Sequence, residues 1–210
     1  MDITELSMDI IRTLGGPGIA LLLAAEALFP PIPGEVLLPF VGVTAAAEGR
    51  GVLAPILWTT TGSVLGGLGV YGIGRGLGLR RARGLADGVP LLDPADVDTA
   101  VRFFDRHGTA AVITARFVPV VRTFISVPAG IERMPVALFA LATGIGSGIW
   151  NGVFVTVGYL FGTAGGDALQ RFVQIYSTVL AVIAAVAIAG FVRRRLRDRR
   201  QQVGRSTLEP

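Results

Sequence analysis

Three apolar runs set the terms for this chain. Residues 52–73, 136–161 and 172–192 contain 22, 26 and 21 residues without a single Asp, Glu, Lys or Arg. A helix needs about 20 apolar residues to cross the hydrocarbon core of a bilayer, so each run is read as a spanning helix. The whole chain agrees with that reading. Of its 210 residues 51% are hydrophobic and 16% charged, and the mean hydropathy is +0.63. The expected class is an all-α integral membrane protein of the multi-pass type.

Two more apolar regions stop short of spanning length. One, residues 15–48, is broken by Pro30, Pro31 and Pro33, and the other, residues 109–131, by Pro119. Short apolar pieces divided by proline point to re-entrant helical hairpins that enter and leave on one face. Ahead of them, residues 1–14 alternate apolar and charged positions at helical spacing, as an amphipathic helix in the interface does. It lacks the basic start and small-residue cleavage site of a signal peptide. Residues 75–106 are polar and read as an extramembrane loop, with a helix starting near Asp93 ahead of Pro94. Residues 193–210 form a basic tail.

The arginines orient this layout. With two re-entrant hairpins and three spans, fourteen arginines fall on one face, in residues 75–106, at Arg133 and in the tail, against Arg12, Arg50 and Arg171 on the other. Positive charge collects on the cytoplasmic side, which places the loop and the C-terminus there, in a cytoplasmic (inner) membrane. Each half is then a hairpin followed by a span, and the halves are inverted. The sequence repeats in outline: Glu35, Pro39 and Gly42 answer to Arg122, Pro128 and Gly130, and Trp58 to Trp150 at a spacing of 92. Inverted repeats with broken helices place transporter sites near the bilayer midplane.

Four charges lie inside these hairpins. Glu26 and Glu35, nine residues apart, would point to opposite sides of a straight helix at about 100° per residue, as would Arg116 and Arg122 at six. The prolines between them let each pair turn to one cavity, with Pro128, Gly130 and Asn151 shaping it. An ionised side chain at mid-bilayer costs at least about 2.5–3.5 kcal/mol, so these charges need a reason. One reading is structural, with the glutamates neutralising the arginines. On the functional reading the forked, permanently charged guanidiniums grip a phosphate, while the glutamates load and release a proton. Protonation then favours release or reorientation of the cargo.

Other features carry less. Gly67, Gly69 and Gly72 match GxGxxG, but no strand precedes them; with Gly62 and Gly66 they read as helix packing in lipid. Tyr71 and Tyr159 are interface anchors, and His107, Asp105 and Arg106 solvated loop residues. No cysteine is present, which removes disulfide and thiolate chemistry, and no metal or cofactor is expected. All 19 basic residues are arginine; because they flank apolar segments they argue for a bilayer and against nucleic acid.

The segments EALFPPIPGEVLLPFVG, GSVLGGLGVYGIGRGLG, FDRHG, RFVPVVRTFISVPAGIERMPVALF and GSGIWNGVFVTVGYLFG, in this order across residues 15–165, resemble the signatures of the DedA membrane proteins of the SNARE-associated Golgi protein (VTT domain) superfamily. The resemblance implies two re-entrant loops that meet in the membrane, transbilayer movement of lipid, and a cargo of undecaprenyl phosphate or phosphatidylethanolamine with dependence on a proton gradient. It places the family's acidic positions on Glu26 and Glu35 and its basic ones on Arg116 and Arg122. The expected function is therefore that of a lipid flippase or scramblase, not an enzyme, with an anionic lipid, protons and the bilayer as partners and room for a homo-oligomer. A phosphatidylethanolamine scramblase is the first alternative. A membrane lipid phosphatase and a non-transporting assembly factor are the others, the phosphatase disfavoured because His107 is the one histidine and no GxSxG-like elbow accompanies it.

Overall fold

A computed structural model of the chain describes residues 13–28, 34–87 and 94–164, together with positions 174, 178 and 190. The described residues form seven helices and no strand: α1 (Gly16–Leu28), α2 (Gly34–Ala47), α3 (Leu53–Asp87), α4 (Pro94–Ala115), α5 (Pro119–Phe124), α6 (Ser126–Ile131) and α7 (Val136–Ala164). Two of them are long and apolar enough to cross a membrane, Leu53–Gly84 within α3 and Val136–Thr163 within α7. The interfacial helix expected over residues 1–14, the prolines Pro30, Pro31 and Pro33, the span expected at 172–192 and the tail lie outside the described residues, apart from positions 13 and 14 and the isolated positions given above.

α7 shows what solvent the chain was built for. Phe139, Thr143, Ser147, Asn151 and Val155, spaced by four, are all buried, whereas Leu141, Ile145, Ile149 and Val153 on another stripe are exposed. The inward face carries the hydroxyls and the amide, and the outward face is aliphatic. α3 repeats the pattern, with Thr59 and Tyr71 buried and Leu57 and Leu65 exposed. In water this would leave apolar area unburied at roughly 25 cal/mol per Å². In lipid it is the favoured arrangement, because small and polar residues let helices approach and bond.

The long helices are where sequence and structure differ most in extent. α3 does not end at residue 73 but runs to Asp87, interrupted at Gly78, whose φ of 64° leaves the helical region. Much of the polar stretch 75–106 is thus helical, and α4 begins beside the expected start at Asp93. α4 breaks at Gly108 (φ 47°), dividing a charged amphipathic part from the apolar turns that lead to Arg116. Arg83 of α3 meets Asp98 of α4 at 2.7 Å, an exposed pair that contributes little by itself.

The short helices sit on the long ones through glycine. α2 packs on α7 and α6 on α3. A Cβ at Gly42 would overlap the Val155 carbonyl oxygen and come within 2.7 Å of Tyr159 N; one at Gly130 would overlap the Tyr71 carbonyl and come within 2.7 Å of Arg75 N. Gly158 meets the Pro39 backbone, and Gly74 meets that of Val127, in the same two ways. The contacts thus recur at one spacing, 84 along the long helices (Tyr71 and Val155, Gly74 and Gly158) and 88 along the short ones (Pro39 and Val127, Gly42 and Gly130). At that spacing Trp58 corresponds to Ala142 and not to Trp150. Trp58 lies against Gly16, whereas Trp150 packs against Phe117 and Phe154.

Gly158→Ala is expected to lower stability by about 1–3 kcal/mol, the usual cost of forcing atoms into a packed interface. Gly152→Ala on the same helix, where a Cβ meets nothing within 4 Å, should be neutral or mildly stabilising through helix propensity. Thermal unfolding in detergent compares the two.

Candidate functional site

α1, α3, α5, α6 and α7 converge with the end of α4 on a small cavity of about 20 Å³. Its wall is formed by Leu23, Glu26 and Ala27 from α1, Ser63, Gly67 and Val70 from α3, Arg116 just past α4, Arg122 and Thr123 from α5, Ser126 from α6 and Ser147 from α7. Three of the four charges expected to meet do so here. Glu35 lies in the first turn of α2, with its side chain outside the described residues.

Local sequence explains how each charge arrives. Residues 116–118 close α4 with i to i+3 hydrogen bonds, Arg116 N to Ile113 O at 3.2 Å among them. Val118 is extended (φ −116°, ψ 111°) and α5 starts at Pro119. The residue before a proline is driven out of the helical region, and proline suits the first helical turn. That break separates Arg116, just past α4, from Arg122 in α5, so that both reach one cavity. Pro128 lies buried within α6, and Gly130 holds α6 against α3.

The two guanidiniums are held differently. Arg122 donates to a carboxylate oxygen of Glu26, and the two side chains are 12% and 11% exposed. This is a part-buried ion pair between α1 and α5, the structural reading in part. Arg116 is 5% exposed and donates to the hydroxyls of Ser126 at 3.3 Å and Thr143 at 3.1 Å, with its charge 6.0 Å from the Phe139 ring centre. Among the described residues no carboxylate lies within 4.0 Å of it, and its Nε has no hydrogen-bond partner. Among the described residues the cavity wall therefore holds two guanidiniums and one carboxylate. A forked guanidinium with a free N–H suits an oxyanion.

Asn151 is fully buried and donates from Nδ2 to Ser63 Oγ at 3.2 Å, so it shapes the cavity from behind without lining it. The residues not singled out from the sequence are hydroxyls: Ser63, Thr123, Ser126, Thr143 and Ser147. For Ser63, Thr143 and Ser147 a signal was available as two stripes at spacing four, Thr59, Ser63 and Gly67 in α3 and Thr143, Ser147 and Asn151 in α7. A second depression, of about 80 Å³, lies at the start of α3 beside Trp58. Its charges, Glu48 and Arg50, pair with each other at 2.6 Å and are exposed.

The VTT domain family matches residues 32–160 of the chain. Over 199 residues the chain is 35% identical to a Lactococcus lactis protein named alkaline phosphatase-like protein, covering 91% of this chain and 92% of that one. It is 28% identical over 200 residues to undecaprenyl phosphate transporter A of Staphylococcus aureus, covering 94% and 98%. With the Bacillus subtilis protein of the same name the identity is 31% over 179 residues, covering 85% and 87%. No solved structure matches. The inverted polarity of α3 and α7, the charged cavity behind a proline break and these likenesses lead to one assignment: the chain belongs to the VTT-domain (DedA) family of membrane proteins.

Proposed function

We propose that this protein moves undecaprenyl phosphate across the cytoplasmic membrane, as a proton-linked lipid transporter and not as an enzyme. The observation that carries the proposal is Arg116, a buried guanidinium beside a cavity, with a free N–H and no described counter-charge. The names of the two transporter relatives supply the class of anion, a polyprenyl phosphate whose tail stays in the bilayer while its headgroup enters between the hairpins. On this reading α1 with α2, and residues 109–131, are the two re-entrant hairpins of an inverted repeat, a relation that the recurring contacts at Gly42 and Gly130 support. The arginine bias puts the C-terminus in the cytoplasm.

The ion pair revises the expected role of the proton. Glu26 already holds Arg122, so the phosphate must compete with its carboxylate. Protonation of Glu26 removes the competing charge and favours the cargo at Arg122. Proton and phosphate then load together, and the cavity never gathers more negative charge than its two arginines balance. This reverses the expectation that protonation favours release.

The test is transport by purified protein in proteoliposomes, comparing a short-chain polyprenyl phosphate with phosphatidylethanolamine across a range of pH. Faster movement of the polyprenyl phosphate, rising as pH falls, is the expected result. Equal rates for the two lipids without pH dependence would mean a scramblase instead. The name carried by the Lactococcus lactis relative makes hydrolysis worth measuring in the same vesicles, and release of inorganic phosphate would overturn the transporter reading.

A further inference from the structure

α3 and α7 pass each other antiparallel. A Cβ at Gly148 would touch Thr60, one at Gly144 would touch Val64, and one at Gly67 would touch Thr143. Combined with the spacing of 84, this register places Ser63 opposite Ser147, its own counterpart, at the centre of the crossing. The first-helix contacts follow the same relation: Gly62 meets Ala20 and Leu23 as Gly146 meets Ile113 and Arg116. A cavity on one side of the crossing therefore has a counterpart position on the other.

Among the described residues the counterpart is filled at three positions. Gly67, Val70 and Ser126 line the open cavity; the spacings of 84 and 88 carry them to Asn151, Phe154 and Leu38. At each pair the larger side chain is on the closed side. Asn151 and Leu38 are fully buried and Phe154 is 8% exposed, with Leu38 and Phe154 in one apolar cluster that Trp150 packs against. On the open side the volume over Gly67 is taken by Arg116, whose Nη2 lies 3.1 Å from a Cβ built there. In matching volumes one half thus has the guanidinium of Arg116, reaching in from the end of α4, and the other the amide of Asn151 on α7 itself.

We propose that Asn151, Phe154 and Leu38 form a plug that closes the second entrance to the central cavity, so that Ser63 and Ser147 at its floor are reached from one face of the membrane only. The inference rests on the membrane placement given under Proposed function and names the residues that hold one side shut. The plug is built to yield. One hydrogen bond, from Asn151 to Ser63, ties its polar end, and Asn151 Oδ1 is buried without a hydrogen-bond partner among the described residues. Opening returns that oxygen to water, which lowers the cost of leaving the closed state.

The chain has no cysteine, so Ser147→Cys, which lines the same cavity opposite Ser63 and leaves the Asn151–Ser63 bond in place, gives a single thiol to label in the full-length protein. Right-side-out and inside-out membrane vesicles are treated with a membrane-impermeant anionic thiosulfonate. Labelling is expected from one face in this parent, and from both faces after adding Asn151→Gly with Phe154→Val, the new side reacting at least tenfold faster than before. The converse change, Val70→Phe in the open half, should slow labelling from the original face at least tenfold; it decides the matter if the plug variant fails to fold. Labelling of the parent from both faces or from neither overturns the proposal, as does unchanged one-sided labelling in the opened variant. The readout needs no transport. One-sided labelling that the plug controls would survive failure of the lipid reading, and normal polyprenyl phosphate transport with no effect of the plug would discard the plug alone.

Discussion

Arg116→Leu is expected to reduce polyprenyl phosphate transport by about 10- to 100-fold while leaving the folded protein at least as stable as the parent. A hydrogen bond to a charged group contributes about 1.5–3 kcal/mol, and about 1.4 kcal/mol is a factor of ten in rate. The stability side follows from burial. Arg116 is held by two hydroxyls and an aromatic ring, without a described counter-charge, and a buried charge is often replaced by an apolar side chain at no loss. Leucine is already what the other half carries at the corresponding position, Leu23, which is 2% exposed. Transport assays and thermal unfolding on the same preparation check the two halves of the prediction. A large fall in stability would make Arg116 a structural residue, and undiminished transport would remove it from the site.

Breaking the Glu26–Arg122 pair should have the opposite thermodynamic sign. Glu26→Gln removes the carboxylate that Arg122 bonds in a part-buried pair, and the expected loss is about 3 kcal/mol, the low end of the range for breaking a buried pair. Replacing both, Glu26→Gln with Arg122→Gln, should recover most of that loss, giving a coupling of about 2 kcal/mol in a double-mutant cycle. Coupling below about 0.5 kcal/mol would show that the contact is incidental. Transport separates the roles further. With Glu26→Gln the competing charge is absent at every pH, so uptake of the phosphate should no longer rise as pH falls. If the pH dependence survives that substitution, Glu26 is not the coupling group.

The class of protein was legible because hydrophobic length is a local property. Charge-free runs of 22 and 26 residues can be counted, and α3 and α7 appear where they were counted. The breaks were legible for the same reason: Pro119 removes a backbone donor and restricts its neighbour whatever lies around it, and Val118 is extended as that requires. The candidate charges were conspicuous because nothing else in those runs is charged. The hydroxyls around Arg116 were missed because serine and threonine are ordinary in a helix until a buried cation lies beside them. The continuation of α3 to Asp87 was missed because polarity does not distinguish an exposed helix from a loop.

What the sequence determined by itself is thus the solvent of the chain, the places where its helices stop, and the four charges that cost too much in lipid to be incidental. What only the tertiary structure decided is how three of those charges are arranged, with Arg122 held by Glu26 and Arg116 on the same cavity but bonded to the hydroxyls of Ser126 and Thr143, and how the two halves differ in the side chains that fill matching space. The physical reason is range. Hydrophobicity and proline act within a few residues of chain, whereas Arg122 and Glu26 are 96 positions apart. The partner of a charge is set by which helices approach closely, and here glycines at 42, 74, 130 and 158, each with backbone where a side chain would be, settle that approach.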